Sequence, residues 1–245
     1  MKKKGSTLVV ISARGGSKGI PGKNLKPLNG RPLISYAIKA ALKARLVNEV
    51  IVSTEDDKIA SIAKDCGAKV PFKRPVELAD DKTPLISVVK HGMKAMDELG
   101  PKADIIVQLS PTCPFITSDV IDRTIEKISD ADSVVTLKRI EHEHPYRAKE
   151  LFEGDRLRSF IKDVDVEKFQ SRQDLPVLYC TSGAIYTRRR HLLENASGRD
   201  FAFGEVAKAV ILSDIEAINI DRPIDFVLAE FIMKSYSELQ KQGLI

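Results

Sequence analysis

Tryptophan is absent from this 245-residue chain, and aromatic residues of all kinds make up only 6%. A groove that stacks single-stranded bases on aromatic rings is therefore not indicated. Cysteine is scarce too: Cys66, Cys113 and Cys180 are odd in number, widely spaced and form no CxxC pair. That speaks against a disulfide framework or a zinc ribbon, and the expected compartment is the reducing cytoplasm. No apolar run reaches the length of a membrane-spanning helix. Lys2, Lys3 and Lys4 ahead of Leu8-Val9-Val10-Ile11 imitate a secretion signal, but the apolar stretch breaks at Ser12-Ala13-Arg14, too early for one. Charge of one sign is only mildly in excess, with 39 Lys and Arg against 34 Asp and Glu giving +5 at pH 7. This balance suits an anionic substrate and falls short of a nucleic-acid binder's basic stripe, so neither nucleic acid nor membrane is an expected partner.

What is present is enough apolar sequence, 43% of residues, for one sizeable core, so residues 1–245 are expected to form a single domain. Short apolar runs alternate with helical periodicity. The pattern predicts strands over 8–13, 50–53, 69–72, 104–109, 133–137, 178–186 and 217–220. It predicts helices over 33–46, 56–66, 83–99, 118–128 and 224–239, with a further helix after Thr187. Such alternation implies βαβ crossovers and a mostly parallel sheet covered on both faces, a three-layer α/β/α architecture. Gly67 is placed to end the second helix and Pro223 to begin the last. The rhythm fails over about 138–178, which is polar and carries Pro145, Gly154 and Pro176; this stretch reads as an arm outside the main sheet.

The segment Arg14-Gly15-Gly16-Ser17-Lys18-Gly19-Ile20-Pro21-Gly22-Lys23-Asn24 directly follows the first expected strand. Ligands of open α/β sheets bind beyond the carboxyl ends of the strands. Glycines let backbone N–H groups approach an anion closely, and three cations add charge-assisted hydrogen bonds. The loop is suited to a polyphosphate. It is not a Walker A loop: aligned on Gly22-Lys23, Ser17 stands where the first glycine belongs and Asn24 where Ser or Thr belongs. It contains no Gly-x-Gly triplet either.

From Ala13 to Asn24 this segment resembles the signature loop of the CMP-sialic acid synthetases (acylneuraminate cytidylyltransferases). The likeness continues through Leu25-Lys26-Pro27-Leu28, Val52-Ser53-Thr54-Glu55-Asp56, Arg74-Pro75, Leu78-Ala79-Asp80-Asp81, Pro111-Thr112, Arg172-Gln173-Asp174-Leu175-Pro176, Gly183-Ala184-Ile185-Tyr186 and Ile220-Asp221, nearly the whole chain. The resemblance implies a Rossmann-like nucleotidyltransferase, a homodimer with a protruding dimerisation arm, which would be the 138–178 excursion. It implies transfer of CMP from CTP to the anomeric hydroxyl of a nine-carbon 2-keto sugar acid, with Mg²⁺ required and pyrophosphate released. By the same resemblance Ala13, Arg14, Ser17, Lys18, Lys23 and Asn24 would line the nucleotide site, with Lys23, Arg14 and Asp221 catalytic and Arg74 at the cytosine. Arg172, Tyr186, Phe201 and Phe203 would contact the sugar, and Asp221 with Asn219 would hold the metal.

Two departures from the family pattern bear on the substrate. Asn219-Ile220-Asp221 replaces the common Asp-x-Asp, and Ser110 replaces a glutamine associated with the sugar. Legionaminate, pseudaminate and Kdo-type acids therefore stand as alternative acceptors, and a non-catalytic nucleotide sensor as the alternative from another class. Several residues also have plain structural readings. Asp221 could cap the last helix, Phe201 and Phe203 could belong to a half-buried strand, and Arg74 could be a surface charge. Glu141-His142-Glu143-His144 reads as a solvated stretch of the arm rather than a zinc site, and Arg188-Arg189-Arg190-His191 as a helix's polar face. Cys113 reads as a packed thiol rather than a nucleophile.

Overall fold

A computed structural model describes residues 5–197 and 201–243, so Lys2, Lys3 and Lys4 lie outside the described residues. In chain order the elements are β1 (Thr7–Ser12), β2 (Pro27–Leu28), β3 (Arg31–Pro32), α1 (Ile34–Lys43), β4 (Glu49–Ser53), α2 (Asp57–Asp65), α3 (Leu85–Asp97) and β5 (Ile105–Leu109). Then come α4 (Ser118–Lys127), β6 (Ser133–Arg139), β7 (Lys149–Phe152), β8 (Arg156–Ser159), β9 (Tyr179–Arg189), α5 (Arg190–Asn195), β10 (Ala207–Ile211) and α6 (Pro223–Lys241). Six strands form one sheet in the order β10-β6-β9-β5-β1-β4. All neighbours pair in parallel except β9, which runs antiparallel to both β5 and β6. Among the described residues no helix is long and apolar enough to cross a membrane.

The continuous apolar strands expected of a parallel sheet are buried on both faces. On one face Val9, Ile11, Val52 and Val107 meet Ile34 and Ile38 of α1, Ile59 of α2 and Ile121 of α4. On the other, Leu8, Val10, Ile51 and Ile106 meet Ile86, Val89 and Met93 of α3 and Leu193 of α5. The expected three layers are therefore present. Local signals hold as well. Asp56 caps α2 by accepting from the N–H groups of Lys58 and Ile59 at 2.8 and 2.9 Å, and Gly67 follows the helix at φ +96°. A third, smaller cluster ties the phosphate-type loop to the last helix: Ile20, Leu28, Leu33, Ile220, Phe226 and Ala229 pack together.

Four expectations need correction. The stretch 69–72 contributes a single bridge, Ile51 to Lys69, rather than a strand. Residues 217–220 form turns and irregular chain, and the strand lies earlier, at β10, parallel to β6. The strand after the arm is three residues longer at its end than expected, so Arg188 and Arg189 belong to β9 and not to a helix. It is also antiparallel, because Tyr179 pairs directly with Arg139 at the end of β6. The two strands form one long hairpin whose tip is the arm, and a parallel placement would have required a crossover that the chain does not contain. Within the arm β7 and β8 pair as a separate two-stranded sheet. His144, read as solvated, is buried at the arm's base: Nε2 lies 3.1 Å from Pro176 O and Nδ1 accepts from the Tyr146 N–H.

The side chain of Ile185 is completely buried near the centre of β9. Ile185→Ala is expected to cost about 2–5 kcal/mol of stability. Urea unfolding checks this; an unchanged midpoint would show that the centre of β9 is not packed as described.

Candidate active site

A cleft of about 280 Å³ opens at the carboxyl ends of β1 and β5. Its lining brings together Arg14, Ser17, Lys18, Lys23, Asn24 and Asp221. Six of the residues expected from sequence thus share one concavity, in the place where open α/β sheets bind ligands.

The loop after β1 is held from three directions. Beneath it, Ala13 donates its N–H to Ser53 O at 3.0 Å and Gly15 donates to Glu55 Oε1 at 2.7 Å. Asn24, itself buried, closes the loop by donating to Arg14 O at 3.0 Å. From the far end of the chain, Ile220 O and Asp221 Oδ1 accept from Lys23 Nζ at 2.6 and 2.9 Å. Close approach makes one glycine obligatory: a Cβ on Gly19 would stand 2.4 Å from the Asp221 carbonyl oxygen.

Asp221 does not cap α6. That task falls to Asp225, whose Oδ2 accepts from the N–H groups of Asp221 and Arg222 at 3.1 and 2.7 Å. The Asp221 carboxylate is thereby left for the cleft, where Asn219 Nδ2 donates to Oδ2 at 2.9 Å. The Asn219 carbonyl oxygen in turn accepts from Thr112 Oγ1 at 2.5 Å, and Thr112 pairs with Ser110 at 2.8 Å. Asn219 therefore points its amide donor, not its oxygen, at Asp221. Among the described residues no group of three or more His, Cys, Asp or Glu side chains is placed to hold a metal. One outward-facing carboxylate does fit a magnesium ion carried in chiefly by substrate phosphates, since that ion keeps most of its ligands as water and phosphate oxygens.

Arg74 is no surface charge, being only 4% exposed. Its Nε donates to Ser53 Oγ at 3.1 Å, a second nitrogen donates to Ser53 O, and a third lies 3.8 Å from Glu55. Burial lowers its pKa, while Glu55 acts in the opposite direction. Glu55 consequently links Arg74 to the Gly15 amide. Across the loop, Asp81 forms ion pairs with both Arg14 and Lys18. The hydrogen bond from Lys18 and then that from Arg14 hold the Asp81 carboxyl below its usual range.

The residues expected at the sugar divide into two groups. Tyr186, Phe203 and Phe201 stack in sequence, with ring centroids 6.3 and 5.4 Å apart. Phe201 and Phe203 lie in irregular chain before β10, not in a strand. Arg172 lies in the arm, exposed and paired with Glu141. None of the four expected sugar residues lines the cleft itself, and neither do Ala13 and Arg74 among the expected nucleotide residues. Cys113 is buried beside the site, and desolvation pushes its thiol up to about 12, in keeping with a packed thiol rather than a nucleophile.

The sequence alone suggests no role in the site for Glu55, Asp81, Gln108 or Arg188. Glu55 and Asp81 sat inside quoted motifs without an assigned partner. Gln108 did leave a signal, as the lone amide in the apolar strand Ile105-Ile106-Val107-Gln108-Leu109. Arg188 was masked by ending the strand too early.

A three-layer sheet with a basic, glycine-rich loop at the end of its first strand, closed against an acidic residue, is the framework of a nucleotidyltransferase. A family model described as Cytidylyltransferase matches residues 8–232, and the chain belongs to that family, of the CMP-sialic acid synthetase type. It is 33% identical to a CMP-N,N'-diacetyllegionaminic acid synthase of Legionella pneumophila, over 97% of this chain and 99% of the relative. It is 33% identical to a pseudaminic acid cytidylyltransferase of Campylobacter jejuni, over 93% and 96%. N-acylneuraminate cytidylyltransferase A of Danio rerio matches at 31%, over 90% of this chain and 49% of the relative. Among solved structures, a CMP:2-keto-3-deoxy-manno-octonic acid synthetase complexed with CTP superposes with a TM-score of 0.68 at 20% identity, covering 94% of this chain and 99% of the other. A 4-diphosphocytidyl-2C-methyl-D-erythritol synthase from Anaerococcus prevotii superposes at 0.65 with 14% identity, covering 95% and 100%.

The thiol of Cys113 is expected to resist alkylation by iodoacetamide at pH 8 in the native protein and to react once denaturant is added. Peptide mapping of the labelled sites checks this; native labelling of Cys113 would contradict its burial.

Proposed function

We propose that the protein transfers a cytidylyl group from CTP to the anomeric hydroxyl of a sialic-acid-like 2-keto-3-deoxy sugar acid and releases pyrophosphate. The observation that carries this reading is the junction of Lys23 with Ile220 and Asp221 on the wall of a cleft that also gathers Arg14, Lys18 and Asn24. The names of the relatives support the acceptor class and favour a legionaminic- or pseudaminic-type acid over N-acetylneuraminic acid, since the relatives named for those two acids are the more similar.

In this reading the acceptor oxygen attacks the α-phosphorus of CTP, and the bond from that phosphorus to the bridging oxygen of the leaving pyrophosphate breaks. Such chemistry depends on positioning and on neutralising charge. Arg14, Ser17, Lys18, Asn24 and the chain at Ala13 would seat the triphosphate. Lys23 would stabilise the negative charge that develops as pyrophosphate departs. Arg74, buried against Ser53 and Glu55, would lie at the cytosine end of the site. Asp221 would hold Mg²⁺, with Asn219 orienting it; bound there, the ion supplies additional charge neutralisation at the phosphates. Tyr186, Phe201 and Phe203 would border the sugar. Arg172 would complete that border from the arm of a second subunit in a homodimer, with its fork suited to a carboxylate.

Incubation with CTP, Mg²⁺ and a panel of acids tests the reading: N,N'-diacetyllegionaminic, pseudaminic, N-acetylneuraminic and 2-keto-3-deoxy-manno-octonic acid. Pyrophosphate is expected only when CTP, metal and a suitable acid are all supplied, and none with any acid would overturn the proposal. Lys23→Ala is expected to lower kcat by about a hundredfold or more, with the far-ultraviolet circular dichroism unchanged. A near-normal rate in the folded variant would remove Lys23 from the chemistry.

A further inference from the structure

We infer that Gln108 is the specificity-determining donor for the acceptor, offering its amide N–H to the carbonyl oxygen of an acyl-amino group, and that Arg188 is the residue that positions it. This rests on the cytidylyl-transfer reading above. Gln108 is 6% exposed in an otherwise apolar strand, yet it lines the same cleft as Lys23 and Asp221. An amide at that depth is costly unless it is paired. Its partner is Arg188, itself 3% exposed, whose Nη1 donates to Gln108 Oε1 at 3.1 Å.

A guanidinium has donors only, so it must face the amide oxygen, and the orientation of Gln108 follows from that. The NH₂ group is turned away from Arg188, and it donates to no side chain or backbone group among the described residues. Arg188 also reaches the aromatic wall at both ends. Its Nε donates to Phe201 O at 2.9 Å, and its guanidinium lies 4.8 Å from the centre of the Tyr186 ring. Gln108 and Tyr186 face each other across the β5–β9 ladder. One buried cation thus fixes a hydrogen-bond donor and a stack of three rings relative to each other. A neutral amide donor suits a neutral carbonyl better than a carboxylate, which a cation would meet. A planar acyl-amino group, with one acceptor oxygen and an apolar end, matches the pair.

The test is steady-state kinetics with CTP and the acid panel, comparing an N-acylated acid that the wild type uses with 2-keto-3-deoxy-manno-octonic acid, which bears no such group. Gln108→Glu keeps the size of the side chain and its pairing with Arg188 but turns an oxygen towards the cleft. It is expected to raise KM for the N-acylated acid about tenfold or more, with KM for CTP unchanged, and to erode the preference for that acid by a similar factor. Arg188→Met should likewise raise KM for the acid alone, with Arg188→Lys recovering part of the loss. A wild type inactive with every acid would sink the cytidylyl-transfer reading itself. An active wild type whose Gln108→Glu variant keeps both KM and acid preference within twofold would overturn the inference. So would an Arg188→Met variant that stays folded yet changes the two KM values equally, and if that variant does not fold, Gln108→Glu and Gln108→Leu decide alone.

Discussion

The ammonium group of Lys23 joins two parts of the chain that are almost two hundred residues apart. It donates to both the carbonyl of Ile220 and the carboxylate of Asp221. Around this contact the backbones come so close that only a glycine fits at position 19. Ile20 and Ile220 pack beneath it with Phe226 of α6. The phosphate-type loop is therefore not a free glycine-rich loop, despite its composition. Its Ile20 is buried, its Lys23 is tethered, and its Gly19 serves close approach to the Asp221 backbone. Such a loop presents its amides and cations already in place, which reduces the reorganisation needed when a polyanion arrives.

Each cation of the site has a carboxylate partner, three carboxylates serving four cations. Asp81 pairs with Arg14 and Lys18, Asp221 with Lys23, and Glu55 approaches Arg74. Four cations assembled with no anion would repel one another, and the compact loop would be strained by that repulsion. The pairs differ in depth. Lys18 is largely exposed, so its ion pair contributes little to stability and is easily exchanged for a phosphate. Arg74 is buried and hydrogen-bonded to Ser53, so it stays in place whatever binds. The arrangement favours exchange at Lys18 and rigidity at Arg74.

Much of this was legible in the sequence because it follows from local rules. The apolar runs, the Asp56 cap, Gly67 and the basic loop each state their role within a few residues. What escaped is what long-range pairing decides. The direction of β9 depends on Tyr179 meeting Arg139 across the arm, and no local pattern encodes that. Strand β10 was missed because its Ala207-Lys208-Ala209-Val210-Ile211 is weakly apolar and relies on the parallel partner β6. In the site, five residues between Arg14 and Asn24 are legible because they cluster in one loop, whereas distant Asp221 is legible only through the family resemblance. Glu55, Asp81, Gln108 and Arg188 act through partners tens of residues away, and each looked like ordinary surface or strand polarity on its own.

The topology also separates two functions. β1, β4 and β5 run parallel and carry the basic loop and, through Ser53 at the end of β4, the buried Arg74. The inserted antiparallel β9 brings Tyr186 and Arg188, and the chain before β10 brings Phe201 and Phe203. The two superposable solved structures share this scaffold at 20% and 14% identity although they are synthetases of different compounds, so the shared fold does not by itself choose the acceptor. In the proposed reading that choice falls where the antiparallel strand meets the parallel half. The ladder between β5 and β9 is that boundary, and Gln108 opposite Tyr186 is the position along it where a polar side chain of the parallel half reaches the aromatic wall. On that reading a change of acceptor can arise on β9 and its neighbours without disturbing the Lys23 junction, because the junction joins the loop after β1 to the chain before α6 and involves no residue of β9.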